Sequence, residues 1–306
     1  MILSAVRLAS RGSPLAMWQA ETVRAALAPV LAPAPVEIVR IETQGDRDQA
    51  SALSAMGGYG VFTKAIQQAL LADAADIAVH SLKDLPTLVT DGVALAGVLP
   101  RGPTGDALVS RKHRSFAALP RGARVGTSSL RRRAQILHQR PDLTLLELRG
   151  NVDTRLRKLH DLDLDAIVLA EAGLVRLGLG HRITEVLDVD WMLPAVGQGA
   201  IGLECRTPDA AMVQLARSIT CARTWALVLA ERAMLAALGG GCLVPIGVTS
   251  DEAHGVLTLR GAVLSATGMR RIVATHRGHA TAPLAVGQEL AAMLLAEGAA
   301  GVLTAR

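Results

Sequence analysis

The chain has 306 residues, of which 50% are hydrophobic and 19% are charged, and its formal net charge is +5. This length and apolar content predict two or three domains with buried cores and exclude a disordered chain. The apolar runs are short and interrupted by charges, so no membrane span is expected, and the N-terminus lacks a secretory pattern. We therefore expect a cytoplasmic protein.

Cysteine and arginine usage narrows the function classes. The three cysteines, Cys205, Cys221 and Cys242, form no C-x-x-C pair and no cluster with the eight histidines, so neither disulfides nor a metal site are predicted. Few of the 32 basic residues are lysines; arginine suits bidentate binding of carboxylate or phosphate, although a GC-rich genome gives the same bias. The weak net charge and scarce aromatics favour a small polyanion over nucleic acid as partner.

The first hundred residues alternate strands and helices. Strands are predicted over 3–9, 36–41 and 76–79, with helices from Pro14 and over 63–71. Ser13 before Pro14 is typical of a helix N-terminus, which places Arg11 where an anion is favoured, although a plain surface arginine fits equally. Residues 46–60 lack periodicity and contain several glycines, which favours a mobile lid.

Two charged residues follow the predicted strand 76–79. Ligands of open α/β sheets bind beyond the carboxyl ends of the strands, and Lys83 and Asp84 lie at that position. A ligand site and an ordinary solvated turn both fit this pair.

A second α/β domain follows a Pro/Gly-rich hinge at 100–105. Its strands are predicted over 106–110, 124–126, 144–149 and 165–170. Hydroxyl groups and arginines cluster after these strands, which indicates an anion site more than a solvated face: Thr127, Ser128, Ser129, Arg131, Arg132, Arg133, Arg149, Arg155 and Arg176.

The last hundred residues do not alternate strands and helices as the first two hundred do. After a second hinge at 193–200, a helix over 224–238 precedes β runs at 246–250, 256–264 and 271–275 and a helix over 286–297, which predicts an α+β domain with an antiparallel sheet. Cys242 lies between, after three glycines. Glycines there suggest close backbone approach beside a functional thiol, whereas a lone cysteine is more commonly a small buried apolar residue.

Six motifs in order resemble one enzyme family. The chain is similar from end to end to porphobilinogen deaminases, also called hydroxymethylbilane synthases. The motifs are Arg11-x-Ser13-Pro14-Leu15-Ala16 with Trp18-Gln19, His80-Ser81-Leu82-Lys83-Asp84, Gly126-Thr127-Ser128-Ser129-Leu130-Arg131-Arg132, Leu148-Arg149-Gly150-Asn151, Pro194-Ala195-Val196-Gly197-Gln198-Gly199 and Gly240-Gly241-Cys242-x-Val244-Pro245-Ile246.

The resemblance implies a fold and a reaction. It implies two periplasmic-binding-protein-like α/β domains with a hinged cleft, over 1–99 with 200–217 and over 105–193, and a smaller α+β domain over 222–306. It also implies a monomer that condenses four porphobilinogen molecules, with release of ammonia, on a dipyrromethane cofactor bound to Cys242 through a thioether.

The resemblance also assigns residue roles. Asp84 is implied as the catalytic carboxylate. Cofactor binding is implied for Ser81, Lys83, Thr127, Ser128, Ser129, Arg131, Arg132, Arg149, Gly150 and Arg155. Substrate binding is implied for Arg11, Ser13, Gln19, Phe62, Ala170, Arg176, Gln198 and Gly199.

Four positions depart from the family pattern, and they leave one alternative function open. Ala55 and Tyr59 stand in the glycine loop where basic residues are common, Gln67 stands where Glu is frequent, and Gly239 replaces an acidic residue before the cysteine. The alternative is a non-catalytic α/β protein that binds a carboxylated ligand. Such a sensor needs the arginines but neither Cys242 nor Asp84.

Overall fold

The computed structural model describes residues 5–43, 45, 60, 63–88, 90–240 and 244–304. It divides into two compact units, Met1–Gly102 with Ala200–Trp225 and Pro103–Gly199 with Ala226–Arg306. The predicted lid over 46–60 lies outside the described residues except for Gly60. No helix in the described ranges is both long and apolar enough to span a bilayer.

The described secondary structure follows the predicted order of elements. The strands are β1 Val6–Arg11, β2 Val36–Ile41, β3 Ile77–Ser81, β4 Val93–Val98, β5 Asp106–Val109, β6 Arg124–Gly126, β7 Thr144–Leu146, β8 Ala166–Ala170, β9 Glu185–Val186, β10 Ile201–Arg206, β11 Ile246–Ala253, β12 Val256–Leu264 and β13 Arg271–His279. The α-helices are α1 Pro14–Leu31, α2 Lys64–Leu71, α3 Leu130–Gln139, α4 Val152–Asp161, α5 Glu171–Arg176, α6 Ala210–Ser218, α7 Ala222–Ala237, α8 Pro283–Ala296 and α9 Ala299–Thr304.

The first unit is built on a five-stranded mixed sheet in the order β2-β1-β3-β10-β4. β1 runs parallel to β2 and β3, whereas β10 is antiparallel to β3 and β4. Apolar clusters bury the sheet on both faces, so β10 is buried along most of its length. The sequence analysis does not identify β4 or β10 as strands, although Ile201, Leu203 and Cys205 alternate with other residues in β10. The parallel pair β1 and β3 ends at one edge of the sheet.

The second unit contains another five-stranded mixed sheet, in the order β7-β6-β8-β5-β9. β6 is parallel to β7 and β8, and β5 is antiparallel to β8. The carboxyl ends of β6, β7 and β8 and the start of β5 therefore share one edge. The predicted strand over 144–149 is too long: it ends at Leu146, because the N–H of Leu148 bonds the Ser128 hydroxyl (2.9 Å) instead of a neighbouring strand.

The remainder of the second unit is a three-stranded antiparallel sheet, β11-β12-β13, covered by helices. Leu257 and Leu259 of the sheet and Leu290 and Leu294 of α8 are fully buried in one apolar cluster. The helix predicted over 286–297 begins earlier, at Pro283, because proline suits the first turn of a helix. The predicted fold class, two α/β domains and a smaller α+β domain with an antiparallel sheet, is confirmed.

Candidate active site

The turn that follows β3 positions Lys83 and Asp84. One turn of 3₁₀ helix carries Leu82, Lys83 and Asp84. Leu82 donates its N–H to the carbonyl of Ala200 (3.0 Å), and Leu82 and Leu85 are both buried. These two anchors hold Lys83 and Asp84 half-buried between them. Their backbone is therefore fixed by the core and does not depend on a contact of the charged side chains.

The side chain of Asp84 forms no hydrogen bond or ion pair with any of the described residues, and this includes the adjacent Lys83. A half-buried carboxylate beside a buried strand end is a strong acceptor for N–H groups and stabilises positive charge.

The carboxyl end of β1 brings three further predicted residues to this edge of the sheet. Arg11 is the last residue of β1, and Ser13 caps α1 by accepting the N–H of Ala16 (3.4 Å). The buried amide of Gln19 exchanges hydrogen bonds with the Ser81 hydroxyl (2.9 and 3.1 Å), which ties α1 to the end of β3. The structure thus places Arg11, Ser13, Gln19 and Ser81 at the edge that carries Asp84.

A buried polar cluster that the sequence analysis does not predict lies along β3. Both oxygens of Glu204 accept the amide of Gln67 (3.0 and 3.1 Å), and Nε2 of His80 lies 2.9 Å from Glu204 without the alignment of a hydrogen bond. The oxygen of the Gln67 amide accepts from Thr90 (3.1 Å). An ionised glutamate at position 67 would have no hydrogen to donate to Glu204. Glutamine, which stands here in place of the family's frequent glutamate, therefore satisfies the buried carboxylate.

In the second unit, three hydroxyl groups shape the link from β6 to α3. Ser129 caps α3 by accepting the N–H of Arg132 (3.4 Å), Thr127 accepts the N–H of Ser129 (3.3 Å), and Ser128 accepts the N–H of Leu148 (2.9 Å). Each hydroxyl uses only its acceptor in these bonds and keeps its O–H to donate. The link is therefore a set of donors at the N-terminus of a helix, which suits an anion.

Arg131 and Arg132 are buried and share the carboxylate of Asp106. Nη1 of Arg131 lies 2.5 Å from one oxygen of Asp106, and Nε and Nη2 of Arg132 donate to the other (2.9 and 2.7 Å). Burial alone raises the pKa of Asp106, but the two guanidinium groups outweigh it and hold this pKa well below its usual range. Two cations share one anion, so this cluster carries net positive charge.

One buried donor of Arg131 lacks a partner in the described part of the chain. Its Nη1 also donates to the carbonyl of Leu193 (2.6 Å), whereas its buried Nε has no hydrogen-bond partner among the described residues. A buried donor without an acceptor is costly and marks a place where a ligand group fits. A carboxylate is the natural complement of a guanidinium edge.

The depressed pKa of Asp106 predicts a specific pH dependence of stability. A carboxylate with a lowered folded-state pKa stabilises the fold above its unfolded pKa, about 3.9, and this contribution is lost as the pH falls further. We expect Asp106→Asn to lower the Tm by a constant amount between pH 8 and pH 5. Below about pH 4 the difference between variant and wild type should shrink. Thermal unfolding of both proteins across this range tests it; a difference that shrinks near pH 6 contradicts it.

The segment after β7 carries Arg149 and Arg155. Arg149 is buried at the strand end, and the Nε of Arg155 donates to the carbonyl of Gly150 (2.8 Å). Gly150 has φ +116, and a Cβ there would lie 2.6 Å from Cγ2 of Thr154, so this turn needs glycine. Asn151 caps α4 through the N–H of Thr154 (2.9 Å). The cap and the glycine turn hold the two arginines at the edge that also bears α3.

The end of β8 and the segment before β10 supply the remaining predicted residues of this unit. Ala170 pairs with Asp106 across the sheet, and Nη2 of Arg176 donates to the carbonyl of Gly199 (2.6 Å). The amide of Gln198 donates to Asp106 (2.9 Å) and to the carbonyl of Thr104 (2.7 Å). Partial burial lowers the pKa of Arg176, because it disfavours the charged form of the guanidinium.

Two predicted site residues, Phe62 and Cys242, lie outside the described residues. The departures Ala55 and Tyr59 do so as well. Gly239 is described: its φ is +64 and its N–H bonds the carbonyl of Ala236 (3.0 Å), so it terminates α7 in the left-handed conformation. Glycine adopts this φ without strain, so the residue at position 239 suits the end of α7.

Asp106 and Glu204 are the polar residues of these sites that the sequence analysis does not identify. Asp106 opens a buried strand that runs antiparallel to β8, so it lies among strand carboxyl ends although it stands at a strand start. The sequence signal that could identify Asp106 is an aspartate between a glycine and an apolar run. Periodicity does not give the direction of the strand, so this signal does not place Asp106 at the site.

Comparison with known proteins gives the same family along the whole chain. Residues 6–214 match the model described as "Porphobilinogen deaminase, dipyromethane cofactor binding domain", and residues 225–296 match "Porphobilinogen deaminase, C-terminal domain". A porphobilinogen deaminase of Syntrophotalea carbinolica is 47% identical over 305 residues, covering 100% of this chain and 97% of the relative. One from Acidithiobacillus ferrooxidans is 47% identical over 298 residues, covering 97% of each.

Two solved structures of binding proteins show a distant likeness. A putative methionine-binding lipoprotein from Bacillus subtilis is 12% identical, with a TM-score of 0.45, over 71% of this chain and 90% of that one. A periplasmic substrate-binding protein of an ABC transporter from Coxiella burnetii is 16% identical, with a TM-score of 0.45, over 70% and 91%. These scores are too low to support an argument.

Proposed function

The chain belongs to the porphobilinogen deaminase family, and from this premise we propose how its residues divide the work of that activity. The enzyme is a transferase, hydroxymethylbilane synthase. It joins four porphobilinogen molecules head to tail, releases ammonia from each and yields hydroxymethylbilane for haem and other tetrapyrroles. Its cofactor is dipyrromethane, which is covalently bound.

The sheet edge of the second unit that bears Arg131, Arg132, Arg149 and Arg155 fits a cofactor that carries carboxylates. Nε of Arg131 is buried and has no hydrogen-bond partner in the described part of the chain, and Arg149 and Arg155 follow the neighbouring strand. We assign cofactor binding to Ser81, Lys83, Thr127, Ser128, Ser129, Arg131, Arg132, Arg149, Gly150 and Arg155. When bound, the dipyrromethane supplies the pyrrole to which substrate units are added. The protein contributes guanidinium forks and hydroxyl donors that orient its carboxylates.

Asp84 carries the chemistry of this proposal. The observation behind it is a carboxylate that follows a buried strand and has no bonded partner among the described residues. Loss of ammonia from porphobilinogen leaves a cationic methylene-pyrrole. A fixed carboxylate that accepts the pyrrole N–H stabilises this cation more than it stabilises the neutral substrate, and this difference lowers the barrier. The core anchors Leu82 and Leu85 hold the carboxylate in place beforehand.

Substrate binding is assigned to residues at the two sheet edges. They are Arg11, Ser13, Gln19, Phe62, Ala170, Arg176, Gln198 and Gly199. Porphobilinogen carries acetate and propionate groups, so Arg11 and Arg176 bind carboxylates, while Ser13 and Gln19 add neutral donors. Gln198 contributes indirectly, because its amide helps to hold Asp106 beneath the arginine pair.

The experiment that tests this function is an intact mass measurement. We expect the denatured protein, purified from cells that make porphobilinogen, to be heavier than its polypeptide by two linked pyrrole units, because a thioether survives denaturation. The gain should be localised to the peptide containing Cys242. A mass equal to the bare chain contradicts the assignment of Cys242 and favours the non-catalytic alternative, a protein that only binds a carboxylated ligand.

Domain organisation, oligomeric state and location complete the proposal. We propose three domains, over 1–99 with 200–217, over 105–193 and over 222–306, with a hinge between the two α/β domains. We also propose a cytoplasmic monomer, as the family resemblance implies. No nucleic-acid partner is proposed, because the net charge is only +5 and aromatic residues are scarce. Size-exclusion chromatography with light scattering tests the monomer.

A further inference from the structure

Helix α3 carries the arginine pair on one side and contacts the C-terminal sheet on another. Arg131 and Arg132 reach Asp106, whereas Ala134, one turn along, is buried in a small apolar cluster with Leu193, Ala262 and Leu264. Ala262 and Leu264 belong to β12. The helix that presents the proposed cofactor-binding arginines is therefore packed directly on the domain whose first strand follows Cys242.

The turn between β12 and β13 approaches α3 unusually closely. Nδ1 of His138 lies 2.8 Å from the carbonyl oxygen of Gly268. Because a carbonyl only accepts, Nδ1 carries the proton. A Cβ on Gly268 would lie 2.5 Å from the carbonyl oxygen of Ala134 and 2.7 Å from the backbone nitrogen of His138. The glycine permits backbone-to-backbone contact that any side chain would prevent.

A second contact runs through Leu193 and Pro194. The Gln135 side chain donates to the carbonyl of Leu193 (3.0 Å) and accepts its N–H (2.9 Å), and this same carbonyl accepts Nη1 of Arg131 (2.6 Å). From the opposite direction, the N–H of Val248 in β11 donates to the carbonyl of Pro194 (2.9 Å). One short segment therefore bonds both α3 and β11.

These contacts connect α3 to the residues that flank Cys242. The N–H of Leu264 donates to the carbonyl of Pro245 (3.0 Å), and Val263 pairs with Ile246. Pro245 stands three positions after Cys242 in the sequence. The backbone at Pro245, shortly after the thiol, is thus hydrogen-bonded to β12, and the turn that follows β12 contacts α3.

We propose that this contact, formed by Gln135, His138 and Gly268, fixes Arg131 and Arg132 relative to the strand that follows Cys242, and that these three are positioning residues for cofactor attachment and use. The inference rests on the proposed roles of Arg131, Arg132 and Cys242. Bidentate binding tolerates little displacement, so a shift of α3 misplaces the guanidinium forks even when the fold persists. The competing interpretation is a contact that contributes stability alone.

The chain offers a matched pair of substitutions that separates these interpretations. Gly268 and Gly255 both occupy turns of the C-terminal sheet and have nearly equal positive φ, +75 and +77. A Cβ on Gly255 meets nothing within 4 Å. Gly255→Ala therefore introduces the backbone strain alone, whereas Gly268→Ala adds a collision with α3.

The first readout is amide hydrogen exchange of the full chain as purified. We expect Gly268→Ala to speed exchange in residues 130–139 roughly tenfold relative to Gly255→Ala, because the displaced helix opens more readily. Equal exchange of α3 in the two variants overturns the contact as a determinant of the helix position.

The second readout is the fraction of molecules that carry the cofactor mass, together with turnover per cofactor-loaded molecule. Gly268→Ala should lower both, and Gly255→Ala should leave both near wild type. If the two alanine variants lose Tm equally and keep equal loading and turnover, the contact is only stabilising and the inference is wrong.

A second variant covers the case in which Gly268→Ala does not fold. His138→Leu removes the donor to Gly268, and His138→Asn retains an N–H near the position of Nδ1. We expect loading in the order wild type, Asn, Leu; equal loading of all three overturns the inference. Arg131→Lys tests the proposed function separately from this inference. If that variant keeps full cofactor loading, Arg131 does not bind the cofactor, and the proposed function fails at this residue whatever the result for Gly268→Ala.

Discussion

Cys242→Ser is expected to yield a folded protein that carries no cofactor mass and has no turnover. A serine hydroxyl is protonated at neutral pH and is a far weaker nucleophile than a thiolate, so the thioether cannot be replaced by an equivalent bond. The effect is all-or-none because the family's reaction proceeds on the bound cofactor. Intact mass and turnover of the purified variant measure it.

The other two cysteines differ in reactivity, so they are controls of different strength for the attachment site. Burial raises the pKa of the Cys205 thiol to about 12, and its sulfur contacts the carbonyl of Met212 (3.5 Å), so this thiol is unreactive. Hydrogen bonds from Thr224 lower the pKa of Cys221, which is half-buried and so the more reactive of the two. Cys221→Ser is therefore the sharper control. If Cys242→Ser keeps the added mass and Cys221→Ser loses it, the attachment site is Cys221.

The arginines that follow the strands of the second unit show how much of the site can be predicted from the sequence. Motif spacing places Arg131, Arg149 and Arg176 after successive strands, and parallel strands bring such positions to one edge, as found. What spacing cannot provide is the counter-charge. Asp106 lies 25 residues from Arg131 and reaches it only because β5 runs antiparallel to β8. Strand direction comes from tertiary pairing and leaves no trace in local periodicity.

The edge strand β4 and its neighbour β10 show the corresponding limit for the fold. β10 returns to the first unit after the whole α/β part of the second unit, so its pairing with β3 joins residues more than a hundred positions apart. The strand alternates apolar residues with Gly202, Glu204 and Arg206, which is compatible with a strand but does not say which sheet it joins. Only the family resemblance predicts its return. Glu204 is stabilised by Gln67 from a distant helix, which local pattern cannot reveal.

Asp84→Asn is expected to lower turnover by at least about 10²–10³, the usual effect of removing one preorganised electrostatic group. Asparagine has nearly the same shape, and Leu82 and Leu85, which are buried, keep the turn in place. What is lost is the negative charge that stabilises the methylene-pyrrole cation. Since the carboxylate has no bonded partner among the described residues, its replacement breaks no ion pair and should leave the Tm nearly unchanged.

Two variants make this measurement decisive. Asp84→Glu keeps the charge and displaces it by one methylene, so it should retain more activity than Asp84→Asn. Asp91→Asn removes an exposed carboxylate of the same unit and should change neither turnover nor Tm. Turnover is measured per folded, cofactor-loaded molecule beside thermal unfolding, so that poor loading is not mistaken for slow chemistry. Near-wild-type turnover of Asp84→Asn ends the catalytic assignment, because neutral asparagine cannot offset a developing cation.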